Sequence, residues 1–296
     1  MEVALTRPGT YVVAVSGGVD SMALLHALQK SGRYDLVIAH LDHGIRVDSA
    51  EDRRLVQEVA EAMGLPFEYK EARLGAGASE AEAREVRYRF LQDVQRKRGA
   101  RAIVTAHHQD DVLETAIINL LRGSGRKGLT SLASRDGVER PLLHAPKQEL
   151  IAYAKHYRLE WREDSTNRNT DYLRNYVRHQ LLSRFDAAAR ERLITLIDQT
   201  RAANRELDDL LADELRRQAK TAGLDRAWFI QLPHNLARET MAAWLRDSGI
   251  RDFDRKTLER LVVAAKTAES GKSFDVLHGT KLAISPQHLA LKGLER

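Results

Sequence analysis

VVAVSGGVDSMALLHAL, residues 12–28, decides the fold. The apolar run YVVAVS (11–16) reads as a strand buried on both faces. DSMALLHALQKSG (20–32) reads as a helix with apolar residues at helical spacing, ended by Gly32. Between them Ser-Gly-Gly makes a tight turn. Glycines let backbone approach a ligand closely, the first turn of a helix presents N–H groups, and its dipole adds partial positive charge, so such a turn cradles phosphate. The Ser16 and Ser21 hydroxyls add donors. Neither GxxxxGK[ST] nor GxGxxG is present, so the turn carries no lysine for a terminal phosphate. Ser16, Gly17, Gly18, Val19, Asp20 and Ser21 therefore read as a pyrophosphate cradle, with Asp20 placed to hold a metal or the substrate. A tight strand–helix turn with no ligand is the plain alternative.

The pattern continues downstream. YDLVIAHLDH (34–43), LPFEYKEA (65–72) and ARAIVTAHH (100–108) read as further strands, and 48–63, 78–99 and 110–125 as helices. The first of these helices opens on Asp48 or Ser49 as a cap, and the second has Ser79 followed by Glu82 at capping-box spacing. Strands alternating with helices predict an α/β fold, a parallel sheet covered on both faces, with ligands at the carboxyl ends of the strands near the switch in strand order. Three clusters fall at those ends: Ser16–Ser21, His40–Arg46 and His107–Asp111. Residues 140–167 continue as a turn, a helix from about Lys147 and a short strand. A long charged helix is expected over 186–220, then shorter helices over 225–231, 233–247 and 254–267. Residues 272–293 read as two or three short antiparallel strands, with His278-Gly279 in the first turn. The expected organisation is an α/β domain over 1–188, then a connecting helix and a small α+β domain over 189–296.

Composition narrows the chemistry. The chain has no cysteine, which excludes disulfides, thiolate zinc sites, iron–sulfur clusters and any cysteine nucleophile or persulfide. A net charge of +5 points modestly to an anionic partner, a mixed-charge solvated surface being the bland alternative. No stretch approaches the run of about 20 apolar residues that spans a bilayer. MEVALTRPGTYVVAVSGG enters structure too early for a signal peptide, so a cytoplasmic protein without membrane contact is expected.

SGGVDS (16–21) after a first strand resembles the loop of the PP-loop ATP pyrophosphatases, which split ATP between its α- and β-phosphates and adenylate a substrate. More of the chain is similar to one branch, the tRNA(Ile)-lysidine synthetases. AHLDHGIR (39–46) resembles their HxxHGxR segment, and EAEAREVRYRFL (80–91) their ARxxRYxFL helix. TAHHQDDVLETAIINLLRGSGRKGL (105–129) resembles their TAHHxDDxxET…RGxGxxGL block. RPLL (140–143), EDSTN (163–167) and YLRNYVRHQLL (172–182) follow in the same order. The resemblance is dense from about Tyr11 to Leu182 and thins beyond, and the chain reads as a short form without the second C-terminal domain of the longer members. Thiolating tRNA enzymes share much of the pattern but need cysteines, which disfavours sulfur transfer here.

The resemblance implies ATP and Mg²⁺ as cofactors, and a tRNA(Ile) with a CAU anticodon and free L-lysine as substrates. The C2 oxygen of the wobble cytidine is adenylated, and the lysine ε-amine then displaces AMP. ATP binding falls to the 16–21 turn with His40 and His43, and catalysis to Asp20, Arg87, His107 and Asp111. Asp20 holds Mg²⁺ with ATP, and Asp111 and Glu114 bind lysine. Arg84, Arg122, Arg126, Lys127, Arg174, Asn175 and Arg178 contact tRNA, RGSGRKGL acting as a mobile basic loop.

Each has a plainer reading. Asp111 suits the first turn of any helix. Arg84 reads equally as an exposed helix arginine, RGSGRKGL as a solvated loop, and Arg174 and Arg178 as salt-bridged with Asp171 and Glu163. Asp164 and Asn167 read as turn formers. The histidine and aspartate clusters (His40, His43, His107, His108, Asp110) also allow a metal-dependent phosphoesterase. Another PP-loop tRNA-modifying enzyme and a non-catalytic tRNA-binding protein that senses ATP are further alternatives. The assembly is left open, a homodimer included.

Overall fold

The structure is a computed structural model describing the chain except residues 43, 45–48, 73, 76–78, 163–172, 221–222, 252, 278 and 294–296. The chain divides into two compact units, Met1–Thr200 and Arg201–Arg296.

The first unit is built on a parallel sheet. β1 (Thr10–Ala14) sits at its centre, flanked by β2 (Asp35–Asp42) and β4 (Ala102–Val104), with β3 (Phe67–Glu71) and β5 (Val138–Glu139) at the edges, in the order β3-β2-β1-β4-β5. All four pairings are parallel. Side chains alternate faces along a strand. Accordingly Tyr11, Val13 and Val15 enter one hydrophobic layer and Val12 the other. On the first face lie α1 (Val19–Ser31), α2 (Ser49–Ala62) and α6 (Lys147–His156), through Leu24, Leu25, Leu28, Val56, Leu150 and Tyr153. On the second lies α3 (Glu80–Arg98), through Tyr88, Leu91 and Val94. Ser79 caps α3 by accepting the Glu82 N–H at 3.2 Å, as its spacing predicts. The Asp48 cap lies outside the described residues.

A short helix, α7 (Leu173–Tyr176), leads into a π turn (Val177–Leu181), and a further apolar layer joins α4 (Gln109–Leu121) to that turn, the residues after it and the start of α8 (Ala187–Gln218), through Leu113, Val177, Leu182 and Ile194. Two expectations change. Among the described residues after α6, which end at Arg162, the predicted strand does not form. Instead the Arg162 N–H donates to the Gly17 carbonyl at 3.0 Å, so that segment serves the loop after β1 rather than a sheet. Residues 126–129, expected as a mobile loop, form a helical turn, α5 (Arg126–Leu129). Asn119 of α4 ties it down by donating to the Gly128 carbonyl at 2.8 Å.

The second unit carries an antiparallel sheet in the order β6-β7-β10-β9-β8, formed by Ala219–Lys220, Gly223–Asp225, His288–Lys292, Lys281–Ile284 and Ser273–Asp275. Helices α9 (Arg226–Gln231), α10 (His234–Asp247) and α11 (Arg255–Thr267) pack with it around Phe229, Met241, Leu245, Leu261 and Leu289. β8 to β10 fall where the sequence places them, and His278 lies outside the described residues. β6 and β7 were not foreseen. Gly223 lets β7 lie close against β10, because at φ +131° a Cβ there would meet the Leu289 carbonyl oxygen at 2.1 Å. Among the described residues no helix is long and apolar enough to cross a membrane.

Candidate active site

In the strand order β3-β2-β1-β4-β5 the chain runs outward from β1 to β3 and then returns to the other side of β1. The switch point thus lies between β1 and β4, where a ligand crevice is expected. The loops leaving these two strands carry Ser16–Ser21 and His107–Asp111. His40 stands one strand away on β2.

The β1 loop is held in shape by its own serines. The Ser21 hydroxyl donates to the Gly18 carbonyl at 2.9 Å and accepts the Ser16 N–H at 3.2 Å. Gly17 has φ +88°, a left-handed conformation that favours glycine. Arg162, whose N–H holds the Gly17 carbonyl, also donates its Nε to Asp52 at 2.9 Å, bracing the loop against α2. Gly18 caps α1 and no side chain caps the helix end. His40 is buried, and its Nδ1 donates to the Val15 carbonyl at 2.8 Å. Burial pushes its pKa below the ordinary value, so it supports the loop from beneath as a neutral ring. His43 lies outside the described residues.

Asp20 meets α4 and α6. Its Oδ2 lies 3.0 Å from Lys147 Nζ and 3.6 Å from His108 Nε2, while its buried Oδ1 finds no hydrogen-bond partner among the described residues. Burial favours protonation of this carboxyl, but the His108 hydrogen bond and the charges of His108 and Lys147 outweigh it and hold the pKa below its ordinary value. His108 shows the converse. Burial pushes it down, yet Asp20 and Asp111 raise it above 6.5. The Asp111 carboxylate accepts the His108 N–H at 3.0 Å and lies 3.5 Å from its Nε2, so it acts as a helix cap while also facing the cluster. Because folding raises the His108 pKa, the pairing stabilises the fold fully below the unfolded value near 6.5 and loses that benefit as pH rises through the folded value. A histidine NMR titration is expected to show one ring titrating above 6.5, lost in His108→Asn and moved down in Asp20→Asn.

His107 has the opposite character. Its Nδ1 lies 2.8 Å from Thr105 Oγ1. Burial first, then the charges of Arg140, Arg87 and Arg84, push it down to about 3 against the pull of Asp111. It is a neutral ring at physiological pH, able to hydrogen-bond but too weak a base to take a proton from an ammonium unaided. The arginines gather around Tyr88 of α3. Arg84, Arg135 and Arg87 lie 5.0, 5.5 and 5.8 Å from its ring centre, and Arg140 donates to its hydroxyl at 2.9 Å. Tyr88 itself is buried, so it organises cations rather than offering its own face to a base.

Glu114 is fully buried on α4 and takes a two-pronged pairing from Arg178, at 2.5 and 2.9 Å, with Arg174 Nε at 3.5 Å. Burial raises its pKa, and the Arg178 fork acts against that rise. Arg174 and Arg178 therefore share one face, as their spacing predicts, and that half-buried face meets Glu114 of α4, while Asn175 between them is buried. Asp171 and Glu163, their partners in the plainer reading, lie outside the described residues, as do Asp164 and Asn167. Arg122 is exposed at the end of α4; Arg126 and Lys127 are half-buried on α5.

Sequence reasoning missed Lys147, Arg162, Arg135 and Arg140. Lys147 lies 127 positions from Asp20 and carries no local signal. The pairing of Glu114 did leave a trace, since a carboxylate at a buried position between Leu113 and Ala116 requires a cation.

Comparison with known proteins places this geometry. The PP-loop domain family matches residues 4–185. A tRNA(Ile)-lysidine synthase of Bdellovibrio bacteriovorus is 35% identical over 84% of this chain and 81% of its own. One from Burkholderia mallei is 32% identical over 93% of this chain and 60% of its own, and one from Thermus thermophilus is 45% identical over 60% and 37%. The chain thus spans most of the first relative but 60% or less of the other two. Among solved structures, the U34-tRNA thiolase NcsA of Methanococcus maripaludis with its [4Fe-4S] cluster superposes with a TM-score of 0.51 at 13% identity, covering 64% of this chain and 71% of its own. That likeness shows the fold alone, and a chain without cysteine cannot ligate such a cluster by thiolates. A parallel sheet with a pyrophosphate-type loop at its switch point, matched along its length by these relatives, makes this chain a member of the tRNA(Ile)-lysidine synthase family of PP-loop proteins.

Proposed function

We propose that this chain is a ligase that joins free L-lysine to C2 of the wobble cytidine in a tRNA(Ile) with a CAU anticodon. The C2 oxygen attacks the α-phosphorus of ATP and pyrophosphate leaves. The lysine ε-amine then attacks C2, the C2–O bond breaks, AMP leaves with that oxygen, and the amine proton passes to solvent or a site base. The observation that carries this reading is the meeting, at the switch point, of an uncapped helix end and an acidic cluster on α4 in a chain of this family. The first suits a triphosphate and the second a cationic co-substrate.

The residues divide the work. The 16–21 backbone cradles the pyrophosphate, as its glycines and serines allow. The orphaned Oδ1 of Asp20 fits Mg²⁺, which binds through one or two carboxylates plus substrate phosphates and waters. When bound, that ion neutralises charge on the departing pyrophosphate. Lysine is a zwitterion and needs an anion and a cation side by side. Asp111, with the Glu114–Arg178 pair behind it, supplies both. Arg84 and Arg87 with neutral His107 form the side that faces RNA, and Arg122, Arg126 and Lys127 extend it. The first unit is the catalytic domain, and the second, with the end of α8, grips tRNA. The reaction belongs in the cytoplasm, with ATP, lysine and tRNA.

A phosphoesterase reading finds less support. His40, His107 and His108 are turned to the Val15 carbonyl, the Thr105 hydroxyl and Asp20, and the described residues contain no group of three or more metal-ligating side chains. The test is labelled-lysine incorporation into a CAU-anticodon tRNA transcript, with AMP and pyrophosphate measured. One lysine per tRNA, matched by one AMP and one pyrophosphate, is expected. Nucleotide hydrolysis indifferent to lysine, or tRNA retention with no AMP release, overturns the proposal.

A further inference from the structure

The β1 loop contains no lysine, yet a lysine stands at it. Lys147 opens α6, and its ammonium lies 3.0 Å from Asp20 Oδ2. Its backbone position is fixed, because Leu150 and Tyr153 of the same helix are locked into the layer that also holds α1. The side chain keeps 35% exposure and that of Asp20 keeps 25%, so the pair is a half-open one at the mouth of the loop.

Two features set it apart from an ordinary surface ion pair. First, the lysine stands at the amino end of a helix, where the dipole disfavours a cation. The Asp20 carboxylate compensates that placement. Second, several donors converge on one carboxylate at the loop. Asp20 Oδ2 faces Lys147 Nζ at 3.0 Å and His108 Nε2 at 3.6 Å beside the amino end of α1, while Asp111 lies 3.5 Å from the same Nε2. An ammonium has three donors, and Asp20 takes one of them. The remaining donors of the ammonium and the amino end of α1, which no side chain caps, therefore stand together at the mouth of the loop, a setting that suits a polyanion.

We infer that Lys147 is the phosphate-binding cation of this nucleotide site, delivered from α6 in place of a lysine within the loop. Asp20 holds the ammonium in place before the nucleotide arrives. With nucleotide bound, Lys147 bridges Asp20 and a β- or γ-phosphate oxygen, and it stabilises pyrophosphate as it departs. The inference rests on the nucleotide-binding reading of the loop, but not on the identity of the acceptor.

The test uses the full chain and two probes, inorganic pyrophosphate and AMP, by calorimetry. The wild type is expected to bind both. Lys147→Met is expected to weaken pyrophosphate by about 10- to 100-fold, the loss of one charge-assisted contact, and to leave AMP within about 3-fold. Lys147→Arg should recover much of the loss. In turnover, Lys147→Met should raise KM for ATP and lower kcat together. Unchanged pyrophosphate affinity in Lys147→Met overturns the inference. So does an equal loss for AMP and pyrophosphate, which would mean that the lysine only shapes the loop. Failure of the wild type to bind either probe would instead strike the nucleotide-binding reading, and selective pyrophosphate loss without lysine incorporation would uphold the site while refuting the ligase.

Discussion

Asp20→Asn is expected to lower AMP release in the presence of tRNA and lysine by about 10²- to 10³-fold while ATP still binds. The amide keeps the size of the carboxylate but loses its charge. It can no longer balance Lys147 and His108, at 3.0 and 3.6 Å, nor offer Oδ1 as an anionic ligand to a cation that travels with ATP. The two effects have opposite signs for binding. Removing a negative charge beside the loop makes it more attractive to a polyanion, so affinity for metal-free ATP should hold or improve. The collapse should therefore appear in kcat rather than in KM. Equilibrium binding of ATP with and without Mg²⁺, followed by single-turnover AMP formation, measures both halves. Turnover within about 10-fold of the wild type would remove Asp20 from the reaction.

Glu114→Ala has its largest effect on stability. Glu114 is fully buried, and its loss leaves Arg178 without the fork it grips at 2.5 and 2.9 Å and Arg174 without its neighbour at 3.5 Å. Breaking one side of a fully buried pair costs about 3–5 kcal/mol, and the partial exposure of Arg178 and its remaining neighbour Asp111 at 3.6 Å bring the expected cost here to about 2–3 kcal/mol. For a unit of this size that corresponds to a fall in Tm on the order of 10 °C. Glu114→Leu combined with Arg178→Met should restore most of the loss, since a well-packed apolar pair can match a buried ion pair. It should not restore lysine incorporation if the pair also receives the zwitterion. Thermal unfolding and the incorporation assay on the same three proteins separate the two roles. Recovery of both stability and incorporation in the double variant would reduce the pair to scaffolding.

The core of the fold was legible because it is written locally. An apolar run, a glycine turn and an amphipathic run are adjacent in the chain, and their periods of two and 3.6 decide strand and helix without reference to anything distant. The helices of the second unit, 226–231, 234–247 and 255–267, were legible for the same reason. The two-residue strands β5 and β6 were not, since so short a run has no period to detect. In the described part of the segment after α6, expected as a short strand, the Arg162 N–H goes to the Gly17 carbonyl instead of a strand partner, which no local pattern reveals.

The candidate site divides along the same line. The residue types and spacing of SGGVDS and HHQDDVLET, carried on neighbouring strand ends, were enough to mark a candidate site and which family the chain joins. They could not say what each charge faces. Arg178 was expected to contact tRNA, and its guanidinium also grips Glu114, 64 positions away. Lys147 had no expected role and stands at Asp20, 127 positions away. Local periodicity is a property of consecutive residues, so the sequence alone determined the strand–loop–helix unit and its phosphate-ready backbone. Which cations complete it depends on strand order and on how α6 and the π turn pack beside that unit, and only the tertiary structure decides that, because Coulomb and hydrogen-bond energies act over ångströms in space with no regard to distance along the chain.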